Sequence, residues 1–345
     1  MNNKFSVVEL FAGAGGMALG MELAGLNHSL LVEIDKNCVD TLRHNRPNWK
    51  IIHNDISKVD FKNIKAEIVT GGFPCQAFSY AGKKLGFEDT RGTLFFEFAR
   101  CIKEIQPKIF VGENVEGLLS HDSGNTLKTM ISILEDLGYN VKYKILNAIN
   151  YGVAQKRKRL IIVGTKPEII FNFPKPITKT VSLLQVLKNV PNSPGTSYSE
   201  SRKNIMKLIP PGGCWIDLPI ELQKEYMGKS FHSEGGKRGI ARRISWDEPC
   251  LTLTTSPSQK QTERCHPEET RPFTVREYAR IQSFPDDWDF KGSISSQYKQ
   301  IGNAVAVKVA ESLGKQLISA LNNQEKEEEI IEMPQQKTLL AFPVH

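Results

Sequence analysis

A chain of 345 residues with 40% hydrophobic content can bury one large core, or one large and one small. Its net charge of +7 points toward an acidic partner, although a solvated basic face gives the same sum. The six cysteines (38, 75, 101, 214, 250 and 265) form no C-x-x-C pair, no secretory pattern opens the chain, and no apolar run approaches the roughly 20 residues of a membrane span; these features argue against a disulfide scaffold and a membrane protein, and for a soluble cytoplasmic one.

The first half alternates short β-rich runs with helical patterns, which predicts an α/β fold with a doubly wound, mostly parallel sheet. Residues 5–10 are expected as the first strand and 17–24 as the helix after it. Strands are expected at 29–33, 51–53 and 68–70, the last leading into Gly71-Gly72-Phe73-Pro74-Cys75-Gln76-Ala77-Phe78-Ser79. A helix at 94–105 stops before Pro107, a buried strand follows at 109–112, and a helix at 126–137 ends at Gly138. Strands at 141–148 and 160–163 complete the half. Composition shifts near Pro167, and from there to about Thr270 prolines are frequent and helical periodicity is weak, as in a smaller irregular domain. Helical patterning resumes at 274–281 and at 304–321. Residues 325–332, with five glutamates and one lysine, read as a frayed, solvated tail.

Phe11-Ala12-Gly13-Ala14-Gly15-Gly16 joins the first strand to its helix, and glycines there allow positive φ and close approach of N–H groups to a ligand. Glu33, about twenty residues on, closes the second strand where an acid can accept bonds from ribose hydroxyls. Taken alone, the pair suits NAD and S-adenosyl-L-methionine comparably, and a ligand-free tight turn accounts for the loop too.

Cys75 is a candidate nucleophile because Pro74 stiffens a tight turn after an apolar run, although a cysteine is more often a small buried hydrophobe. Glu113-Asn114-Val115 follows a strand and places an acid at the same sheet edge. Gln155, Arg157 and Arg159 alternate along one face of an extended segment, as a phosphate and base-edge clamp or a solvated basic run would. The stretch 76–92, with Gly82, Gly86, Lys83, Lys84 and Arg91, is long for an α/β connection and suggests a lid or a disordered excursion. A zinc deaminase is excluded, since P-C-x-x-C is missing and none of His28, His44, His53 or His121 opens H-x-E, and no metal site is expected.

In this order the motifs resemble the DNA cytosine-C5 methyltransferases of bacterial restriction-modification systems, almost continuously over the first ~165 residues and again over 271–321. The resemblance implies an S-adenosylmethionine-dependent methyltransferase fold with a target-recognition domain. Residues 1–166 would form the catalytic and cofactor domain, 167–272 the recognition domain, 273–322 a return to the catalytic domain and 323–345 a flexible tail. It implies that Phe11, Ala12, Gly13, Gly15 and Gly16 wrap the methionine portion of the cofactor. Glu33 would bind ribose and Asp55 the adenine amino group, Ile34 and Ile56 would flank the ring, and Pro74 would complete the wall. Asn303 and Val305, in Gly302-Asn303-Ala304-Val305, would fold back beside the glycine loop; Asn303 also reads as an N-cap for 304–321.

For catalysis the resemblance implies Cys75 as the nucleophile that adds to cytosine C6, Glu113 as the acid at N3 and Arg159 at O2. Asn114, Arg157 and Gln155 would support the site. The target base must leave the duplex, with 76–92 closing over it. Gln76, Ser79, Ala81, Lys83, Arg91, Arg238, Arg242, Thr252 and Lys260 are the DNA-contact candidates, set among Lys237, Arg243, Gln259, Gln261, Thr262 and Arg264. Residues 271–288 match a motif that organises the recognition domain, with Glu277 and Arg280, three apart on a helix, expected to pair. The expected partners are double-stranded DNA and a cognate restriction endonuclease, with the protein itself a monomer. A tRNA cytosine methyltransferase shares the motifs and is the alternative enzyme; an inactive nucleic-acid-binding relative is the alternative non-enzyme. A nicotinamide dehydrogenase would explain only the glycine loop.

Overall fold

Seven short runs rich in β-branched and aliphatic residues pair into one sheet: β1 (Ser6–Leu10), β2 (Asn27–Glu33), β3 (Ile51–His53), β4 (Ile68–Gly71), β5 (Ile109–Val115), β6 (Asn140–Asn147) and β8 (Lys158–Thr165). The computed structural model describes residues 5–74, 94–232 and 239–332, with side chains described through residue 323. The spatial order is β3-β2-β1-β4-β5-β8-β6. Neighbours from β3 to β5 are parallel, and β8 alone runs antiparallel to both β5 and β6. The doubly wound, mostly parallel sheet expected from the sequence is borne out.

Both sheet faces are covered, because side chains alternate along each strand and both sets are apolar. Val8, Leu10, Val69 and Phe110 pack under the helices Leu94–Ile105 and Asn125–Asp136. Val7, Ile68, Ile109 and Val111 pack on the other side against Met17 and Met21 of the helix Gly16–Ala24 and Val309, Leu313 and Leu317 of the last helix. A third core joins Leu19, Leu31 and Leu42 to Leu183, Leu253, Phe273, Tyr278 and Trp288, so much of the chain after residue 180 packs on the main body. A small separate core holds Tyr198, Met206, Ile209, Leu218, Ala241 and Cys265. Among the described residues no helix is long and apolar enough to cross a membrane.

The C-terminal part departs from the sequence expectation in three ways. Residues 304–306 are not helical: Asn303 ends a helix, Ile294–Asn303, that the sequence reading did not anticipate, and the last helix starts at Val307. Asn303 is therefore not an N-cap; Ser293 caps its helix instead, accepting from the Ser296 N–H, and Tyr298 and Ile301 bury its inner face. The last helix then continues to Glu332, so 325–332 is helical rather than frayed, as a run without glycine or proline and rich in glutamate permits.

The sheet places the site. Strand order reverses between β1 and β4, and in such sheets ligands bind beyond the strand carboxyl ends at that reversal. The carboxyl ends of β1, β2, β4 and β5 all open there, with Glu33 and Glu113 on the strands themselves and Phe11–Gly16 and Pro74 on the loops that follow β1 and β4.

Candidate active site

The loop after β1 turns sharply: Phe11, Gly13 and Gly15 all have positive φ (55°, 54° and 85°). For Phe11 this is a strained conformation, of the sort that surrounding structure must hold. Glu33 holds it. Its Oε2 accepts the Gly13 N–H at 2.7 Å, and its Oε1 accepts those of Ile34 and Asp35 at 2.8 and 2.7 Å. The carboxylate expected to meet a ligand is thus first a brace for the glycine loop, with further lone pairs left for a second acceptor role. Trp288 braces the loop from behind, donating to the Ala14 carbonyl at 3.2 Å.

Gly16 and Gly15 have different duties. A Cβ on Gly16 would stand 2.3 Å from the Val305 carbonyl oxygen, so a bare backbone here lets the C-terminal return lie directly on the loop. A Cβ on Gly15 would meet Leu42 and Trp288 at 2.7 and 2.9 Å, which turns Gly15 into the core and away from the cavity.

The cavity above these residues has a volume of about 580 Å³ and is lined by Phe11, Ala12, Gly13 and Gly16, by Glu33 to Asp35, by Asp55 and Ile56, by Gly72 to Pro74, by Glu113 to Val115 and Arg159, and by Asn303 to Val305. This is a size typical of small-molecule sites. Ile34 is 64% exposed and Ile56 is buried, giving one open and one fixed apolar wall. The Asp55 carboxylate accepts from the Ser57 N–H and hydroxyl, both at 2.9 Å, and these bonds hold it below its usual range. At the mouth Lys299 pairs with Asp35 at 3.2 Å, which joins the C-terminal return to the end of β2.

The sequence reading missed Glu9. It lines the cavity from within β1, is 2% exposed, and accepts at one oxygen from Thr70 Oγ1 while lying 3.3 Å from His28 Nε2. A charged residue at an interior position of an otherwise apolar strand was the available signal.

At the other end of the cavity Glu113 lies within β5, which runs on to Val115 because it pairs with β8 as far as Arg159. Glu113 and Arg159 are diagonal neighbours across that pair, and Arg159 Nε meets Glu113 Oε1 at 2.8 Å. Burial pushes the Glu113 carboxyl above its usual value, against the opposing pull of the Arg159 and Arg157 guanidiniums. Asn114 turns the other way and donates to the Phe73 carbonyl.

Gln155 and Arg157 share Arg159's side of the strand, but they are buried rather than presented as an open clamp. Arg157 donates to the carbonyls of Leu253 (3.1 Å) and Gly302 (2.8 Å), and burial pushes its pKa down to about 9. Gln155 bonds the Gln282 side chain at 3.0 Å and the Leu253 N–H at 3.0 Å. β7 (Gln155–Lys156) pairs with Cys250–Leu251, so these side chains stitch the arginine segment to the irregular region and the C-terminal return.

The basic cluster of the irregular region is largely committed internally. Arg243 is buried and donates to the carbonyls of Ile209, Met206 and His266. Arg242 Nη2 donates to both Glu248 carboxylate oxygens at 2.8 and 2.9 Å, and Nη1 donates to the Gly212 carbonyl. Thr252 Oγ1 donates to the Lys156 carbonyl, and Lys260 sits on the Tyr226 ring. Glu277 and Arg280 do not pair with each other: Glu277 takes a bidentate pair from Arg271 and completes a capping box with Thr274, while Arg280 reaches Asp286 at 2.6 Å. Charge partners nearer in space outcompete helix spacing. Cys75, Gln76, Ser79, Ala81, Lys83 and Arg91, with Lys237 and Arg238, lie outside the described residues.

The family profile of C-5 cytosine-specific DNA methylases matches residues 5–319. The chain is 55% identical over 332 residues to the Type II methyltransferase M.Sau96I of Staphylococcus aureus, covering 93% of this chain and 77% of that one. It is 56% identical over 335 residues to the Type II methyltransferase M.Eco47II of Escherichia coli, covering 93% and 80%. The fold is similar to that of S. pombe Dnmt2 methyltransferase, with a TM-score of 0.67 and 19% identity over 92% of this chain and 100% of that one. A match spanning nearly the whole length, on a scaffold whose strand ends converge on one cavity, settles the family: the chain belongs to the C-5 cytosine-specific DNA methylases and is a DNA (cytosine-5) methyltransferase.

Proposed function

We propose that the enzyme transfers a methyl group from S-adenosylmethionine to C5 of a cytosine flipped out of a specific short duplex sequence, through a covalent Cys75–C6 adduct. The observation that carries this reading is one cavity lined both by Glu33, Ile34, Asp55 and Ile56 and by Glu113 and Arg159. Ile34, Ile56, Glu33 and Asp55 supply two apolar walls and two carboxylates, which suits an adenosine; the bare glycine loop and Val305 leave room for an amino-acid tail. Glu113 and Arg159 stand at the far end, and Pro74, the residue before Cys75, lies on the same wall.

When bound, S-adenosylmethionine supplies an electrophilic methyl group. The chain's own residues make cytosine able to accept it, since C5 is not nucleophilic in the intact aromatic ring. The Cys75 thiolate adds its electron pair to C6, breaking the C5–C6 π bond, and Glu113 gives a proton to N3 as charge builds there. Arg159, fixed by Glu113, donates to O2. Once C5 carries the methyl, loss of the C5 proton to solvent re-forms the double bond and expels Cys75 as thiolate. Arg157 and Gln155 act indirectly, by fixing the strand that bears Arg159.

The likeness to Type II methyltransferases supports a modification role beside a restriction endonuclease of the same specificity, acting on DNA in the bacterial cytoplasm. The test uses purified protein, labelled S-adenosylmethionine, unmethylated plasmid and bulk tRNA, followed by sequencing the plasmid for 5-methylcytosine. Methylation at one recurring short motif is expected. Label on tRNA alone, or on neither, overturns the proposal.

A further inference from the structure

One short loop of the irregular region is built unlike its surroundings. Thr255, Gln259, Lys260 and Gln261 are exposed, and the amides of Gln259 and Gln261 have no partner among the described residues. The tip is a tight turn, with the Thr262 N–H donating to the Gln259 carbonyl at 2.9 Å.

Beneath it lies an unusual support. Glu263 is completely buried and accepts from the Tyr226 hydroxyl at 2.5 Å, with Arg202 Nε 3.4 Å away. The same two partners also hold the loop from outside: Arg202 donates to the Ser258 carbonyl, and Lys260 Nζ donates to the Tyr226 carbonyl at 2.5 Å while lying 4.4 Å from its ring centroid. A buried carboxylate is costly unless its partners are fixed, so this arrangement favours one position of the tip.

The root of the loop is sealed to the catalytic side. Arg157 donates to the Leu253 carbonyl and Tyr278 to that of Thr254, and a Cβ on Gly302 would stand 2.4 Å from Thr254 O. The segment that leads into the strand of Arg159 is therefore hydrogen-bonded to the root of the loop that carries Gln259 and Gln261.

We propose that this loop reads the target sequence, with Gln259 and Gln261 hydrogen-bonding base edges in the major groove and Lys260 serving as an internal staple rather than a phosphate contact. The inference rests on the DNA-modification reading above. Glutamine amides offer a donor and an acceptor side by side, the pattern that distinguishes one base pair from another. A reading side chain needs a defined position, and the Arg202–Glu263–Tyr226 support supplies it.

The test uses the full chain and the plasmid motif mapped for the wild type. Gln259→Ala and Gln261→Ala are expected to lower kcat/KM on the cognate duplex by about 5- to 150-fold each. They should leave the melting temperature unchanged and shrink the ratio of the rate at the motif to the rate at sites that differ from it by one base. Lys260→Ala is expected to reduce discrimination without changing the dependence of binding on salt. Wild-type motif and rate in both glutamine variants, or an equal loss on all sequences, overturns the assignment of the readers. A salt slope smaller by about 1 in the Lys260 variant makes it a phosphate contact and overturns the staple. A wild type that methylates no DNA overturns the underlying function instead, so the two failures are distinct.

Discussion

Asn114 Nδ2 donates to the Phe73 carbonyl at 3.0 Å, and its Oδ1 accepts the Val115 N–H at 2.8 Å. This buried amide joins the end of β5 to the chain two residues before Cys75. Asn114→Ala leaves a buried carbonyl unpaired, which costs about 1–3 kcal/mol. The expected result is a fall in kcat with little change in cofactor affinity, measured by single-turnover kinetics and calorimetric titration with S-adenosylmethionine. A loss confined to cofactor affinity would remove Asn114 from the catalytic end.

Cys75→Ala should abolish methyl transfer while leaving duplex binding intact. Gel-shift titration beside a methyl-transfer assay separates the two. Appreciable turnover in the variant would eliminate the thiol as nucleophile.

Glu113 carries a signature in pH. Burial raises its folded pKa above the unfolded value near 4.5, so protonation stabilises the fold below that value and the contribution is lost as pH rises through the folded pKa. The reaction follows the same direction, because the acid must hold its proton. Glu113→Gln is expected to slow chemistry far more than it weakens cofactor binding, and to flatten the decline of melting temperature with rising pH. A variant with the wild-type pH profile for both would refute the assignment.

Gly16→Ala tests the closure of the C-terminal return. Its Cβ would stand 2.3 Å from a backbone oxygen, so Val305 must move and the cavity wall with it. Cofactor affinity measured by calorimetry should fall at least tenfold, equivalent to about 1.4 kcal/mol, with kcat at saturating cofactor less affected. Unchanged affinity would show that Val305 does not shape the site.

The parts of the fold written in local patterns were legible in the sequence, and those set by distant contacts were not. The β-rich runs and the glycine loop gave the sheet, its winding and the cavity's edge. The helix Ile294–Asn303 went unseen because it has few apolar residues and depends on Tyr298 and Ile301 reaching a remote core. Alternation put Gln155, Arg157 and Arg159 on one side, but only pairing with Cys250–Leu251 and the carbonyls of Leu253 and Gly302 decides that two of them are buried. Glu277 and Arg280 fit a helical pair by spacing, yet each finds a better-placed partner from the turns that flank the helix. Glu9 gave its signal in the sequence, as an acid inside an apolar strand.

The last helix lies along the first. A Cβ on Gly20 would touch Ala310 and the Val307 carbonyl at 2.4 Å, and Val309, Leu313 and Leu317 cover the sheet face that Val7, Ile68 and Val111 expose. That cover is made last. At about 5–20 residues per second, roughly 15–60 s of translation separates the two helices. Until that helix emerges, the nascent chain has this side of its sheet covered only in part, by Met17 and Met21 of the first helix and by Tyr151, Ile169 and Phe171.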